Sequence, residues 1–270
     1  MTTPGPHHQT ALITGASGGI GYELAKLFAR DGYDLVLVAR SDEKLARCAD
    51  ELRQAPGIVV HVVPKDLSLP TAPQELVEGL QRSSLTVDAL VNNAGFGVPG
   101  VYTAVEWDKH AAFLQIMVVA VAELTRRLLP GMIERGYGRI INVASLAGLV
   151  PAPAGHTLYA ASKAFLIKFS EALAHEVRKY GVHVSAVCPG FTLSEFHDVT
   201  GTRQTVKRLP GFLWMDAAAV AREGFAAVMA DKPIHVTGAI NRTIATLVRY
   251  LPQWFIVSMA RRTARAYRKI

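Results

Sequence analysis

Cysteine is nearly absent from the chain: Cys48 and Cys188 are the only two among 270 residues. They lie far apart and match no metal-ligand spacing, which excludes a disulfide scaffold and a cysteine-based metal centre and points to reduced, structural thiols in a cytoplasmic protein. No apolar run reaches membrane-spanning length. Residues 1–9 carry Pro4, Gly5, Pro6, His7 and His8 but no apolar centre, so they read as a flexible N-terminus and not as a signal peptide. Asp and Glu are missing from residues 241–270, which hold Arg242, Arg249, Arg261, Arg262, Arg265, Arg268 and Lys269. Those seven cations equal the net charge of +7, so the first 240 residues are neutral. A neutral body without a recognisable base-reading module argues against nucleic acid as a partner.

What is present is a repeating alternation of strand and helix. At 270 residues and 50% hydrophobic composition, the chain can bury a full α/β core within a single domain spanning 1–270. Short β-rich runs are expected at Ala11–Thr14, Leu35–Ala39, Val59–Val63, Ala89–Asn92, Arg139–Val143, His183–Val187 and Ile234–Thr237. Helical periodicity falls between them at Ile20–Arg30, Glu43–Gln54, Pro73–Arg82, Trp107–Arg127, Leu158–Lys179 and Ala217–Met229. Right-handed crossovers then give an α/β fold, a doubly wound parallel sheet of about seven strands with helices on both faces. The stretch Phe191–Met215 is the least regular, and it follows a strand end where such sheets bind ligands, so it is a candidate lid.

Two groups of residues carry chemistry. Gly15, Ser17, Gly18, Gly19, Ile20 and Gly21 follow an apolar strand and open a helix, the context in which a glycine-rich turn cradles a pyrophosphate on free helix N–H groups. At the end of the second strand an acidic residue would accept from a ribose 2′-hydroxyl; this chain has Ala39, Arg40 and Ser41 instead. Arg40 is either a partner for a 2′-phosphate, which selects NADP(H), or a solvated strand-end charge, and the first reading is the one adopted. Tyr159 and Lys163 stand four apart on a helix and so share a face. A neighbouring ammonium is expected to draw the phenol down from about 10 towards neutrality. Ser145, at a strand end, can donate to the same carbonyl oxygen.

Taken with Asp66-Leu67-Ser68, Asn92-Asn93-Ala94-Gly95, Asn142-Val143-Ala144-Ser145 and Pro189-Gly190, these motifs make residues 10–240 resemble the short-chain dehydrogenase/reductase family, with its Rossmann-type fold. The resemblance implies an oxidoreductase with Ser145, Tyr159 and Lys163 as catalytic residues. It also implies that Asp66 and Leu67 stand at the adenine and that Asn92, Ala94 and Gly95 line the adenosine side. Lys163 would hold the nicotinamide ribose, while Pro189, Gly190, Thr192 and Ser194 contact the nicotinamide. A homodimer or homotetramer would form through the helices at 107–127 and 158–179.

Two features depart from the family pattern. Met117 occupies the slot of an active-site asparagine that supports a proton-relay water, and a thioether is a poor acceptor and no donor. The step from Ser145 to Tyr159 is 14 residues, one more than usual, which widens the loop 150–157. Phe96, Phe191, Phe196, Phe212, Leu213 and Trp214 come from loops near the strand ends, where they either line a pocket for an apolar carbonyl or alcohol or are simply buried. Residues 241–270 suit an amphipathic helix pair broken at Pro252, set against a subunit or on an anionic membrane surface. An active reductase, an NADP-binding regulator and a membrane-associated interaction protein all remain open on these residues.

Overall fold

Leu35-Val36-Leu37-Val38 explains why the core has two halves. Successive strand residues point to opposite faces, yet all four side chains are fully buried, so both faces must be covered. In the computed structural model, which describes residues 8–98, 100–152, 154–155, 157–193 and 211–251, this is how the layers form. Ala11 and Ile13 of β1 (Thr10–Thr14) and Leu35 and Leu37 of β2 (Asp34–Ala39) share one cluster with Leu24 and Phe28 of α1 (Gly19–Arg30). Leu45 of α2 (Asp42–Leu52) and Val220 and Val228 of α7 (Ala217–Met229) complete it. Leu12, Val36 and Val38 belong to the opposite cluster, with Leu76 and Leu80 of α3 (Ala72–Arg82) and Leu173 of α6 (Thr157–Val177). Burying each such side chain is worth about 1.5–3 kcal/mol, so alternation within one apolar run fixes both layers.

The remaining strands of the main sheet are β3 (Val60–Pro64), β4 (Ala89–Asn92), β5 (Gly138–Val143), β6 (Val182–Cys188) and β9 (Ile234–Val236). All pair in parallel, in the order β3-β2-β1-β4-β5-β6-β9. Chain progression reverses between β1 and β4, and a crevice opens there at the carboxyl ends of the strands. The seven strands fall within one residue of their expected ends. Local signals set the helix starts: Ser41 caps α2 by accepting from the Lys44 N–H at 3.3 Å, with Asp42 and Glu43 in the first turn.

Three segments differ from the sequence reading. The helix expected to stop at Arg127 runs as α4 (Trp107–Leu114), a π turn (Gln115–Val119) and α5 (Ala120–Glu134). The Ala120 N–H reaches back to the Gln115 carbonyl, and Pro130 is accommodated inside α5. Residues 191–215 are less irregular than expected at their ends: β7 (Phe191–Leu193) pairs in parallel with β8 (Trp214–Asp216), while 194–210 lie outside the described residues. Strands of three residues are too short to display an alternating pattern. The flexible stretch expected at 1–9 does not include Gln9, whose carbonyl accepts from the Asp34 N–H at 2.9 Å. Past the sheet, α8 (Ala239–Tyr250) forms the first part of the expected C-terminal extension, and 252–270 lie outside the described residues.

Candidate active site

The glycine-rich turn is held from three directions. The Gly15 N–H donates to the Val38 carbonyl at 2.7 Å, tying the turn to β2. Thr14 Oγ1 donates to the Val91 carbonyl at 3.0 Å and accepts from the Asn93 and Ala94 N–H groups, tying it to the end of β4. Asn93 Nδ2 donates to the carbonyls of Thr14 and Gly15, each at 3.1 Å. A Cβ on Gly21 would stand 2.4 Å from the Gly15 carbonyl oxygen, and one on Gly15 would stand 2.7 Å from Asn93 Nδ2, so helix and strand meet with no room for a side chain. Gly15 and Gly19 also lie in the left-handed region, with φ of 66° and 55°.

The first turn of α1 carries no acidic side chain, and Gly18 caps it with backbone alone. Its N–H groups and the positive end of its dipole therefore suit a phosphate, so the cradle fits a dinucleotide. Ser17, Gly18, Gly19 and Ile20 are half-buried along this rim, and Arg40 is exposed at the end of β2. The adenosine-side residues are more mixed. Asp66 Oδ1 accepts from the Ser68 N–H at 2.9 Å and hydroxyl at 2.7 Å, closing its own turn. Leu67 sends its side chain into the core, which leaves only its backbone for a ligand. Asn92 is likewise turned inward: its Nδ2 donates to Asn142 Oδ1 at 2.8 Å and to Thr125 Oγ1 at 3.3 Å. Asn142 Nδ2 donates in turn to Ser170 Oγ at 2.8 Å, so this buried row links β4 and β5 to α6.

The three expected catalytic residues converge at the ends of β5 and β6. Ser145, 9% exposed, follows β5; its hydroxyl lies 3.4 Å from the Pro189 carbonyl and accepts from the Ala147 N–H at 3.1 Å. Tyr159 and Ser145 share a side-chain hydrogen bond. One turn along α6, the buried Lys163 donates from Nζ to the Val143 carbonyl at 2.7 Å and stands 5.7 Å from the centre of the Tyr159 ring. Burial lowers the Lys163 ammonium to about 8, and the same burial raises the neighbouring Cys188 thiol, which stays protonated. The expectation that Lys163 draws the Tyr159 phenol towards neutrality is corrected here: burial raises it, and the Ser145 hydrogen bond only opposes that rise. The reason is geometric, because the Lys163 ammonium is directed at a backbone carbonyl. Tyr159 therefore holds its proton at neutral pH, the form an acid must have to deliver it.

Around this centre, Gly95 makes room for the buried Met117: a Cβ there would stand 2.5 Å from the Met117 sulfur. Met117 lies inside the π turn and packs in the cluster of Phe113 and Ile116. Phe96 meets Phe113 edge to face at 5.9 Å and is part of that packing. Phe191 and Trp214 sit opposite one another on β7 and β8, with ring centres 5.6 Å apart. Thr192 is buried and its hydroxyl lies 3.3 Å from the Gly190 carbonyl. Leu213 is half-buried before β8, whereas Ser194, Phe196 and the Phe212 side chain lie outside the described residues. One contact was not foreseen. Asn241 of α8 is buried against the Pro189-Gly190 turn, where a Cβ on Gly190 would stand 2.4 Å from Asn241 Oδ1. No motif marks Asn241, since its partner is some fifty residues away in sequence.

Residues 9–204 match the sequence profile of the family described as short chain dehydrogenase. Ketoacyl reductase HetN of Nostoc sp. is 36% identical over 203 residues, 75% of this chain and 70% of that protein. A very-long-chain 3-oxoacyl-CoA reductase of Mycosarcoma maydis is 38% identical over 194 residues, 70% of this chain and 55% of that longer protein. Among solved structures, a short-chain dehydrogenase from Sphingobium yanoikuyae in complex with NADPH superposes with a TM-score of 0.78 at 28% identity, covering 96% of this chain and 95% of the other.

Proposed function

The chain belongs to the short-chain dehydrogenase family and is a nicotinamide-dependent oxidoreductase, and from that premise we propose that it reduces a lipophilic carbonyl compound with NADPH. The observation that carries this reading is the joint placement of Ser145, Tyr159 and Lys163 at the strand ends beside the glycine cradle. Arg40, in place of a carboxylate, supports the 2′-phosphate, and the NADPH-bound relative supports the same choice. Names of the two curated relatives, both reductases of ketoacyl groups, support a fatty-acyl type of carbonyl. Phe191 and Trp214 supply paired aromatic surface for it.

When bound, NADPH supplies a hydride to the carbonyl carbon. The chain does the rest. Ser145 and Tyr159 present hydroxyls to one oxygen and stabilise the charge that develops there. Tyr159, kept protonated by burial, gives its proton to that oxygen. Lys163, held by the Val143 carbonyl, anchors α6 to the end of β5 with its ammonium 5.7 Å from the centre of the Tyr159 ring. The buried Asn92–Asn142–Ser170 row fixes α6 against the sheet and so sets the height of Tyr159 and Lys163 over the cleft. Self-association through α5 and α6 belongs to the same reading: Val119 and the stacked Phe165–Phe169 pair leave apolar surface on that side.

A turnover screen with NADPH against medium- and long-chain ketones, aldehydes and 3-oxoacyl thioesters tests the proposal. Tyr159→Phe should lose at least about a thousandfold in turnover while binding NADPH as the wild type does, because only the transferable proton has gone. Absence of turnover across the panel, together with intact NADPH binding, would instead favour a cofactor-binding regulator, for which the apolar Met117 is the specific observation.

A further inference from the structure

The catalytic reading leaves one buried amide of α8 without a task. Of the twelve residues in that helix only Asn241 is buried, at 5% exposure. A buried amide must have its polar atoms matched. Asn241 Nδ2 donates to the Thr237 carbonyl at 2.8 Å and lies 3.5 Å from the Met215 sulfur. The head of the same amide fills the space over Gly190: a Cβ on that glycine would stand 2.4, 2.6 and 2.7 Å from Oδ1, Nδ2 and Cγ. No side chain fits between the two residues.

The turn that Asn241 backs also carries groups of the active site. The Pro189 carbonyl accepts from the Leu146 N–H at 2.8 Å and lies 3.4 Å from the Ser145 hydroxyl, while the Gly190 carbonyl lies 3.3 Å from the Thr192 hydroxyl. Asn241 itself is held in place. The Thr237 N–H donates to the Cys188 carbonyl at 3.3 Å, which joins the chain entering α8 to the end of β6. Glu223 of α7 accepts from the Gly238 N–H and from Arg242, each at 3.1 Å, and pairs with His235 Nε2 at 2.9 Å, so a carboxylate clamps the start of the helix. A Cβ on Gly238 would stand 2.7 Å from the Met215 sulfur, so that start is packed on β8 as well. The Pro189-Gly190 turn is thus enclosed between Ser145 on one side and a fixed amide on the other.

We propose that Asn241 is a positioning residue for hydride transfer: by backing the Pro189-Gly190 turn it fixes the seat of the nicotinamide end of the cofactor and the aim of the Ser145 hydroxyl. This rests on the reading that the nicotinamide lies against that turn. Asn241 touches no reacting atom and acts through Gly190 and Pro189. Without its amide the turn can recede into the vacated space, and a shift of that kind costs rate more than affinity. The glycine cradle at Gly15–Gly21 is tied to β2 and β4 and makes no use of Asn241. The two ends of the cofactor therefore respond differently to its loss.

Titration with NADPH and with 2′,5′-ADP, which carries the adenosine end and no nicotinamide, separates positioning from general damage. In Asn241→Ala, kcat with a 3-oxoacyl thioester should fall roughly tenfold to a hundredfold. NADPH affinity should fall about three- to tenfold as the site loses its preorganisation, with 2′,5′-ADP affinity unchanged. Asn241→Asp keeps the shape but sets an acceptor against the Thr237 carbonyl, and it should show the same selective loss. Gly190→Ala should weaken NADPH binding by about tenfold, and adding Asn241→Ala to it should recover at least about threefold, because the methyl then takes the space of the amide. Wild-type kcat and NADPH affinity in both Asn241 variants would overturn the proposal. Equal loss of NADPH and 2′,5′-ADP, the mark of a merely structural residue, would do so too, as would additive losses in the double variant. A wild type that neither binds NADPH nor turns over would overturn the catalytic reading itself, a result distinct from activity that survives the loss of Asn241.

Discussion

Replacing Lys163 with methionine should change stability in a pH-dependent way that the structure makes calculable. Methionine keeps most of the apolar stem and removes the ammonium. Burial holds the native ammonium at about 8, against 10.5 for a solvated lysine, so native Lys163 gives up its proton first as pH rises. Between those values the unfolded chain binds more protons than the native protein, and stability rises with pH. Below about 8 both states are protonated and the native protein bears the full desolvation penalty, about 3 kcal/mol from the displacement. From pH 7 to pH 10 the wild type should therefore gain about 2–3 kcal/mol relative to Lys163→Met. Losses above pH 10 from the raised Tyr22 and Tyr33 phenols occur in both proteins and cancel in the difference. At pH 7 the variant should be within about 2 kcal/mol of wild type, because relief of desolvation offsets the lost bond to the Val143 carbonyl. Urea denaturation of cofactor-free wild type and variant at both pH values measures the quantity. A difference that stays flat from pH 7 to 10 would refute the reasoning, since the native ammonium would then titrate as if solvated.

Met117→Asn should cost about 1–3 kcal/mol in denaturant titration, because an amide would replace a thioether packed on Gly95 and Phe113; unchanged stability would mean that the π turn already offers it partners. Gly21→Ala should weaken NADPH binding at least tenfold by roughly 1–3 kcal/mol of overpacking, since its methyl would meet the Gly15 carbonyl, and a fluorescence titration reads this directly. For Arg40→Ala, NADP affinity should fall by roughly ten- to a hundredfold with NAD affinity unchanged, as expected for loss of a charge-assisted bond; equal loss for both cofactors would assign Arg40 to the fold. Asn142→Ala should lower stability by roughly 2–4 kcal/mol, because Asn92 and Ser170 lose their shared partner inside the sheet, and thermal or urea unfolding measures it.

The sequence alone determined the sheet and the motif positions, because those signals are local. The short β-branched run Leu35–Ala39 reads as a strand, and a glycine-rich turn between the apolar strand Ala11–Thr14 and a helix marks a phosphate site whatever lies elsewhere. The spacing of Tyr159 and Lys163 likewise puts them on one helical face. Tertiary structure decided the features that depend on residues distant in the chain. Whether Asn92 faces a ligand or the core turned on Asn142 and Thr125, fifty and thirty-three residues away. The protonation of Tyr159 and Lys163 was set by burial and by the Val143 carbonyl, neither of which spacing reports. The π turn at Met117 leaves a periodic pattern intact while shifting its hydrogen bonds, and the ribbon of Phe191 and Trp214 is too short to alternate. Asn241 reached Gly190 only because β9 joins the sheet beside β6 and delivers α8 to the end of that strand. Local pattern fixes which elements form, but side-chain environment is a property of the neighbours that folding brings together.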